Sequence, residues 1–204
     1  MNDNMSIALI DYGMGNLTSV RNSLKCIGFD VKVVDQKEAL FDFETLILPG
    51  VGAFAKAMER LNYSGMADAI KEAAQKGKRI VGICLGMQLL LEESHEFGNH
   101  KGLGLIKGDV LPFEDKIDLR IPHMGWNETK STKPEFEELN GDYYFVHSFY
   151  CNPKNEKNVL FKTTYGIEYC SGIVENNQIY GLQFHPEKSQ KSGLELLKKI
   201  LAHG

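Results

Sequence analysis

The segment 82–86, which reads GICLG, constrains the fold of this chain more than any other. It follows the apolar residues 80–81 and precedes segment 87–91, whose apolar pattern predicts a helix. A strand, a sharp turn and a helix in that order can carry a nucleophile on the turn. Because such a turn leaves little room for side chains, glycine is favoured on both sides of it. We therefore expect Cys84 at a helix N-terminus, where the dipole favours the reactive thiolate; an inert, buried cysteine at a strand end is the alternative.

Short apolar segments alternate with helical patterns through the first half of the chain. Strands are predicted at residues 6–10, 29–34, 45–48 and 79–83, and helices at residues 16–27, 53–61 and 66–75. This alternation predicts a parallel sheet that is covered by helices on both faces. Since ligand sites in such sheets lie at the carboxyl ends of the strands, we expect Cys84 and the loop 49–52 at a shared site.

The second half of the chain contains few helical patterns. It has predicted strands at 102–110, 143–147, 159–164, 167–174 and 178–184, a closing helix at 192–201, and surface loops at 113–121 and 152–158. We interpret these strands as mixed or antiparallel additions to the main sheet. The predicted fold class is therefore three-layer α/β, with a mostly parallel central sheet flanked by helices and a mixed or antiparallel extension. One domain is expected over residues 1–204.

The composition narrows the possible classes of function. With 204 residues, of which 43% are hydrophobic, the chain can bury the core of one globular domain. Its net charge of −4 gives no general attraction to nucleic acid or to an anionic membrane. No apolar run approaches the ~18 residues of a membrane helix, and no secretory signal is visible. The four cysteines lack the C-x-x-C spacing of metal sites, so we expect a cytoplasmic protein without a metal or a cofactor.

The segment 183–188, which reads QFHPEK, offers the base that a cysteine nucleophile needs. Proline at position 186 favours an extended backbone at His185, and in an extended chain residues i and i+2 point to the same side. Glu187 is therefore expected to accept a hydrogen bond from the ring of His185. Cys84, His185 and Glu187 together predict a catalytic triad, which is recognised by the roles of its members. A solvated surface turn is the alternative for this segment alone.

Four further features carry weaker signals. Loop 49–52, PGVG, lies between a predicted strand and a predicted helix, so its backbone N–H groups are expected to form an oxyanion hole; a tight turn is the alternative. Gln88 lies one helical turn after Cys84 and either faces the same pocket or is exposed. His147 is either a second base or a hydrogen-bonding residue. Trp126, the only tryptophan, is either a core plug or an interface anchor.

Several of these segments resemble a known family. Three segments resemble the signatures of class I glutamine amidotransferases, namely 49–52, 82–88 and 185–187. Within that family, four segments resemble the glutaminase subunits of imidazole glycerol phosphate synthases, namely 11–17, 122–127, 144–148 and 183–188. The resemblance covers nearly the whole chain in order, and it implies a flavodoxin-like glutaminase fold.

The resemblance also implies a reaction, the hydrolysis of glutamine to glutamate and ammonia. It assigns the roles of nucleophile, base and ring-orienting group to Cys84, His185 and Glu187. It implies an oxyanion hole at Gly50, Val51, Gly52 and Leu85. It implies a glutamine pocket lined by Gly52, Gln88, Glu96, His147 and Ser148.

A partner subunit is the second implication of the resemblance. The ammonia would pass to a (β/α)8-barrel cyclase subunit in a heterodimer of histidine biosynthesis, and glutaminase activity would be weak without that subunit. The residues implied to lie towards the partner and the ammonia passage are Asn16, Trp126, Tyr144 and Lys188.

Other functions stay open from the sequence. A related amidotransferase with the same triad could supply ammonia to a different synthase, such as one that amidinates surface sugars. A non-catalytic module of the same fold could use Cys84 as a redox sensor, and a cysteine hydrolase unrelated to glutamine is a third possibility. A glutamine analogue that alkylates active cysteines would label Cys84 only if the chain is a glutaminase.

Overall fold

The computed structural model of the chain describes residues 6–202, so residues 1–5 and 203–204 of the predicted domain lie outside the described residues. The first half alternates strands and helices, as its sequence pattern predicts. Its elements are β1 (Ile7–Ile10), α1 (Leu17–Cys26), β2 (Val31–Val34), a 3-10 helix (Lys37–Asp42), β3 (Thr45–Gly50), α2 (Phe54–Tyr63), α3 (Met66–Gln75), β4 (Arg79–Cys84) and α4 (Leu85–Leu89).

The second half is dominated by strands and ends in a helix. Its strands are β5 (Leu91–Ser94), β6 (His100–Lys101), β7 (Ile106–Pro112), β8 (His123–Ser131), β9 (Gly141–His147), β10 (Phe149–Pro153), β11 (Val159–Tyr165), β12 (Ile167–Glu175) and β13 (Ile179–Leu182). Its helices are α5 (Gln190–Ala202) and three 3-10 helices at Pro134–Leu139, Glu156–Asn158 and Pro186–Lys188.

The sheet has a parallel part and a mixed part, in which most pairs are antiparallel but β5 pairs with β7 in the parallel sense. The parallel part has the order β2-β1-β3-β4-β13, and β12 then pairs with β13 in the antiparallel sense. In the parallel register Gly50 lies beside Cys84, and Leu182 lies beside Ile83. The carboxyl ends of β3, β4 and β13 therefore meet at one edge of the sheet, where ligand sites of such sheets lie. This architecture confirms the predicted α/β fold class.

Two hydrophobic clusters lie on opposite faces of the sheet, because successive side chains of a strand point to opposite sides. In β4, Ile80 belongs to one cluster and Val81 to the other. Helices α2, α3 and α4 cover the first face, whereas α1 and α5 cover the second. The result is the three-layer arrangement that the sequence predicts. Among the described residues, no helix combines the length and the apolar character that crossing a membrane requires.

Some local predictions were wrong. The helix after Cys84 ends at Leu89, and residue 91 already begins β5. The strand β8 was not predicted at all, because its polar sequence HMGWNETKS hides the alternation of buried and exposed positions. It forms through cross-strand pairing with β9 and β11, which a local pattern does not reveal. The predicted surface loops 113–121 and 152–158 each contain a buried residue, Phe113 and Asn158 respectively.

Candidate active site

The turn that carries Cys84 is strained and closely packed. Cys84 is the last residue of β4 and has φ 55° and ψ −112°, a backbone conformation that is costly for a residue with a side chain. A Cβ atom at position 82 would lie 2.5 Å from the carbonyl oxygen of Gly86, and one at position 86 would overlap the carbonyl oxygen of Leu48. Only glycine fits at both places, as the sequence predicts.

His185 and Glu187 form a buried pair on the 3-10 turn after β13. The backbone of His185 is extended (φ −96°, ψ 94°), and its Nδ1 lies 2.7 Å from Oε1 of Glu187. The two side chains are only 3% and 2% exposed. The main chain around the ring is held by an N–H of His185 that donates to the Tyr144 carbonyl at 2.9 Å, and by the Ser189 hydroxyl, which donates to the His185 carbonyl at 2.7 Å.

The charges around His185 favour a protonated ring. Burial alone lowers the pKa of His185, but the neighbouring Cys84 sulfur and the Glu187 carboxylate outweigh burial and raise the pKa to about 10. Nε2 of the ring is buried and makes no aligned hydrogen bond among the described residues, although the sulfur is close enough to influence the ring. The free Nε2 position beside the sulfur is where a proton would be exchanged with a substrate.

A cavity of about 450 Å³ opens over this site. Its size lies within the ~300–1,000 Å³ typical of small-molecule sites. Of the residues named from the sequence, it is lined by Val51, Gly52, Cys84, Leu85, Gln88, Glu96, His147, Ser148 and His185, and also by Pro122, Val146 and Phe149. Gly50 does not line the cavity and lies buried at the end of β3, beside Cys84.

Glu96 reaches the cavity from the segment after β5. Its carboxylate accepts a hydrogen bond from the backbone N–H of Phe54, the first residue of α2. The preceding Ala53 provides no side-chain cap, so Glu96 satisfies an N–H that the helix leaves free. Since Gly52 lies two residues before Phe54, this contact ties the predicted glutamine pocket to the predicted oxyanion loop.

Gln88 and Gln183 join the cavity wall to the nucleophile. Nε2 of Gln88 donates to the Phe149 carbonyl at 3.2 Å and to Oε1 of Gln183 at 3.1 Å. Nε2 of Gln183 in turn lies 3.9 Å from the sulfur of Cys84. Gln88 is therefore buried and not exposed. Gln183 was missed as a site residue, although its position two residues before His185 in extended chain offered the same signal that identified Glu187.

His147 is a hydrogen-bonding residue and not a second base. Its Nδ1 donates to the Phe149 carbonyl at 2.7 Å, and its Nε2 lies 3.1 Å from Nδ1 of His123 and 3.2 Å from the Tyr169 hydroxyl. Burial lowers the pKa of His147 to about 3 and that of His123 to about 4. Both rings are therefore neutral near pH 7 and hold neighbouring groups in place. His123 and Tyr169 were not identified from the sequence as hydrogen-bond partners of His147.

Three of the four predicted partner-facing residues form one surface cluster. Trp126 is 49% exposed and packs edge-to-face on Tyr144, with 6.1 Å between ring centroids. The ammonium group of Lys188 lies 5.8 Å from the centre of the Tyr144 ring. Asn16 caps the start of α1, where its side chain accepts a hydrogen bond from the Ser19 N–H at 3.2 Å. Trp126 is thus exposed and not a core plug.

Within residues 6–202, no cluster of three or more His, Cys, Asp or Glu side chains is arranged to hold a metal ion. Cys26, Cys84, Cys151 and Cys170 are all free thiols, and only Cys26 is exposed. The arrangement of a thiol, an imidazole with a raised pKa and a buried carboxylate beside one cavity suits nucleophilic attack on an acyl carbon.

Comparisons with known proteins agree with this chemistry. Residues 8–203 match the family model described as glutamine amidotransferase class-I. The chain is 48% identical over 200 residues to "Imidazole glycerol phosphate synthase subunit HisH" of Sulfurimonas denitrificans, which covers 95% of this chain and 96% of the relative. It is 49% identical over 201 residues to the protein of that name from Caldanaerobacter subterraneus subsp. tengcongensis, with 95% and 96% covered. In a solved "Structure of PurLQS from Thermotoga maritima", one chain shares the fold at a TM-score of 0.77 and 21% identity, over 98% of this chain and 99% of that chain.

Proposed function

The chain belongs to the class I glutamine amidotransferase family, and we propose that it is the glutaminase subunit of an imidazole glycerol phosphate synthase in histidine biosynthesis. The observation that carries the proposal is the meeting of Cys84, His185 and Glu187 beside one cavity. The high identity to relatives of that name, over nearly the full length of both chains, supports the choice of this amidotransferase over others. We propose that one amidotransferase domain spans the chain.

The first half of the reaction forms a thioester and releases ammonia. The Cys84 sulfur attacks the side-chain amide carbon of glutamine, and His185 holds the proton that leaves the thiol. The C–N bond of the tetrahedral intermediate then breaks, and His185 gives its proton to the departing nitrogen. Glu187 accepts the hydrogen bond from Nδ1, which keeps Nε2 directed towards the sulfur and the leaving group.

The second half of the reaction regenerates the thiol. Water enters the place that ammonia has left and attacks the thioester carbon while His185 takes one of its protons. The C–S bond breaks, glutamate leaves, and the proton returns to the sulfur. In both halves the developing oxyanion is held by backbone N–H groups of Gly50, Val51, Gly52 and Leu85. Val51, Gly52 and Leu85 line the cavity, and Gly50 lies beside Cys84.

The glutamine pocket is formed by Gly52, Gln88, Glu96, His147 and Ser148. The carboxylate of Glu96 is the negative charge suited to the α-ammonium group of the substrate. His147 supports the pocket in its neutral form, because burial keeps the pKa of the ring at about 3.

The ammonia passes to a partner, a (β/α)8-barrel cyclase subunit that docks as a heterodimer. The cluster of Trp126, Tyr144 and Lys188 supports this docking site, because exposed aromatic rings with an adjacent cation are typical of interface anchors. Asn16 is the fourth residue of the proposed interface and ammonia passage. We propose a cytoplasmic location, since four free thiols are suited to a reducing compartment.

A glutaminase assay tests the proposal. Release of glutamate and ammonia is measured for the purified chain, alone and with the cyclase subunit and its substrate. We expect weak turnover alone and strong turnover with the partner, with formation of imidazole glycerol phosphate. Cys84→Ala should abolish ammonia release, whereas Cys26→Ala, a change at the exposed thiol, should not.

Two results would contradict the proposal. Equal turnover with and without the cyclase would remove the dependence on that partner. Strong glutaminase activity without any imidazole glycerol phosphate would instead point to a synthase of another pathway.

A further inference from the structure

We propose that Gln183 is a positioning residue for the nucleophile, and that its side-chain amide directs an N–H group at the Cys84 sulfur because Gln88 fixes its orientation. The inference rests on the proposed function, since it concerns the same thiol. It adds a residue that neither lines the cavity nor belongs to the proposed triad.

The orientation of the two amides follows from a backbone carbonyl. The Phe149 carbonyl can only accept hydrogen bonds, so the Gln88 atom 3.2 Å away is the NH₂ group. The same NH₂ group lies 3.1 Å from Gln183, so the facing atom of Gln183 is its oxygen. The NH₂ group of Gln183 is consequently the atom that lies 3.9 Å from the Cys84 sulfur.

The Phe149 carbonyl is itself held from a second side. Nδ1 of His147 donates to it at 2.7 Å. Nε2 of His147 is in turn fixed by His123 and Tyr169, at 3.1 Å and 3.2 Å. The hydrogen bonds therefore run from the Phe149 carbonyl through the amides of Gln88 and Gln183 to the Cys84 sulfur.

Burial makes this contact effective. Gln183 is fully buried and Gln88 is 7% exposed, so water does not compete with the amide for the sulfur. A hydrogen bond to a charged acceptor is stronger than one to a neutral acceptor, so the amide N–H favours the thiolate over the thiol. The contact also limits the rotamers of Cys84, whose Sγ must point towards the cavity for attack.

The test compares the reactivity of Cys84 in matched variants. All are built on Cys26→Ala, which removes the exposed thiol and leaves Cys151 and Cys170 buried. Gln183→Met keeps the length of the side chain but removes the donor. Gln178→Met is the control, since Gln178 donates to the carbonyls of Ala74 and Lys78, at 2.6 Å and 3.0 Å, outside the site.

The rate of Cys84 alkylation by iodoacetamide is measured from pH 5 to pH 10. We expect about tenfold slower alkylation in Gln183→Met, because one charge-assisted hydrogen bond that favours the reactive thiolate is lost. Gln178→Met should remain within about twofold of the parent at every pH, since substitutions outside such a network have small effects. In the glutaminase assay with the cyclase, kcat should fall in Gln183→Met while KM changes little, because Gln183 does not line the cavity.

Gln88→Met provides an independent variant, since it releases the amide of Gln183 without touching that residue. Its alkylation should slow in the same direction, and the double variant should be no slower than Gln183→Met alone, because the two residues act as one unit. Should Gln183→Met fail to fold, the Gln88→Met result decides the question.

Unchanged alkylation profiles in both single variants would overturn the inference, and so would effects that multiply in the double variant. These outcomes are separable from a failure of the proposed function. If the proposed function is wrong, the parent protein releases no ammonia from glutamine with the cyclase present, whatever its alkylation profile.

Discussion

Replacement of Glu187 by glutamine tests how much the buried carboxylate contributes to the site. Its Oε1 lies 2.7 Å from Nδ1 of His185, and both side chains are almost fully excluded from solvent. A hydrogen bond to a charged group contributes about 1.5–3 kcal/mol. The glutamine amide still accepts from Nδ1 but carries no charge to stabilise the protonated ring of the transition state. A loss of up to about 3 kcal/mol there corresponds to a loss of up to about 100-fold in kcat/KM.

The pH dependence provides a second readout of the same change. In the wild type the pKa of His185 is raised to about 10, because contacts with Cys84 and Glu187 outweigh burial. Glu187→Gln removes one of those contacts and leaves the burial, so the pKa falls. A proton on the ring is then lost at lower pH, and the alkaline limb of the kcat/KM profile should move downwards in pH.

The raised pKa of His185 should also make the free energy of unfolding depend on pH. Because the pKa of His185 is higher in the folded state, protonation of the ring stabilises the fold. This stabilisation is complete below pH 6.5, the pKa in the unfolded chain, and is lost as the pH rises through about 10. The free energy of unfolding of the wild type should therefore decline between these values, and that of Glu187→Gln should decline less. Urea unfolding at a series of pH values measures both slopes.

A matched glutamate elsewhere on the chain provides the control. Glu138 forms an ion pair with Lys199 at 2.6 Å but is 71% exposed, so Glu138→Gln should leave both the stability and the activity close to those of the wild type. A Glu187→Gln variant that keeps kcat/KM within threefold of the wild type and retains its alkaline limit would contradict this expectation. That result would mean that the carboxylate neither orients nor charges the ring.

Packing, burial and exposure each predict the effect of one more substitution. Gly86→Ala should destabilise the fold by about 3 kcal/mol or more in urea unfolding, because its Cβ overlaps the Leu48 carbonyl. Gly104→Ala is the control and should cost only about 1 kcal/mol, since space is open there although φ is +67°. Equal losses of stability in the two variants would contradict the clash at position 86. The wild type should lose stability as the pH falls from 6.5 to 4, because burial lowers the pKa of His123 to about 4 and protonation of the ring then favours the unfolded chain. His123→Phe should make this loss smaller by up to about 1.4 kcal/mol per pH unit. An unchanged dependence of stability on pH in this range would count against a neutral ring. Trp126→Ala should raise the Kd for the cyclase at least tenfold in a calorimetric titration while the melting temperature stays constant, and an unaltered Kd would exclude Trp126 as an anchor.

Local sequence chemistry predicted the parts of the site that depend on neighbours in the chain. The glycines at 82 and 86 are required by contacts within one turn and its adjoining strand. His185 and Glu187 meet because they are two residues apart in extended backbone. The parallel part of the fold was predictable for the same reason, since each strand and helix of the first half carries its own periodicity.

Long-range pairing created the features that the sequence did not reveal. His123 and His147 face each other in the register of β8 and β9, and β8 itself is a strand only because its two neighbours supply hydrogen bonds. Gln88 and Gln183 meet across elements that are far apart in the chain. No periodicity within a single segment encodes such contacts, because register is decided by the buried faces of both partners.

The turn that carries Cys84 and the carboxylate partner of His185 were both predictable from the sequence, because each depends on backbone conformation over a few residues. The meeting of Cys84 with His185 depends on the tertiary fold. The parallel pairing of β13 with β4 brings Leu182 beside Ile83, and with it the segment that carries His185 to the edge where β4 ends. Burial of both faces of the sheet fixes the order and register of its strands, and that order places the ends of β4 and β13 side by side.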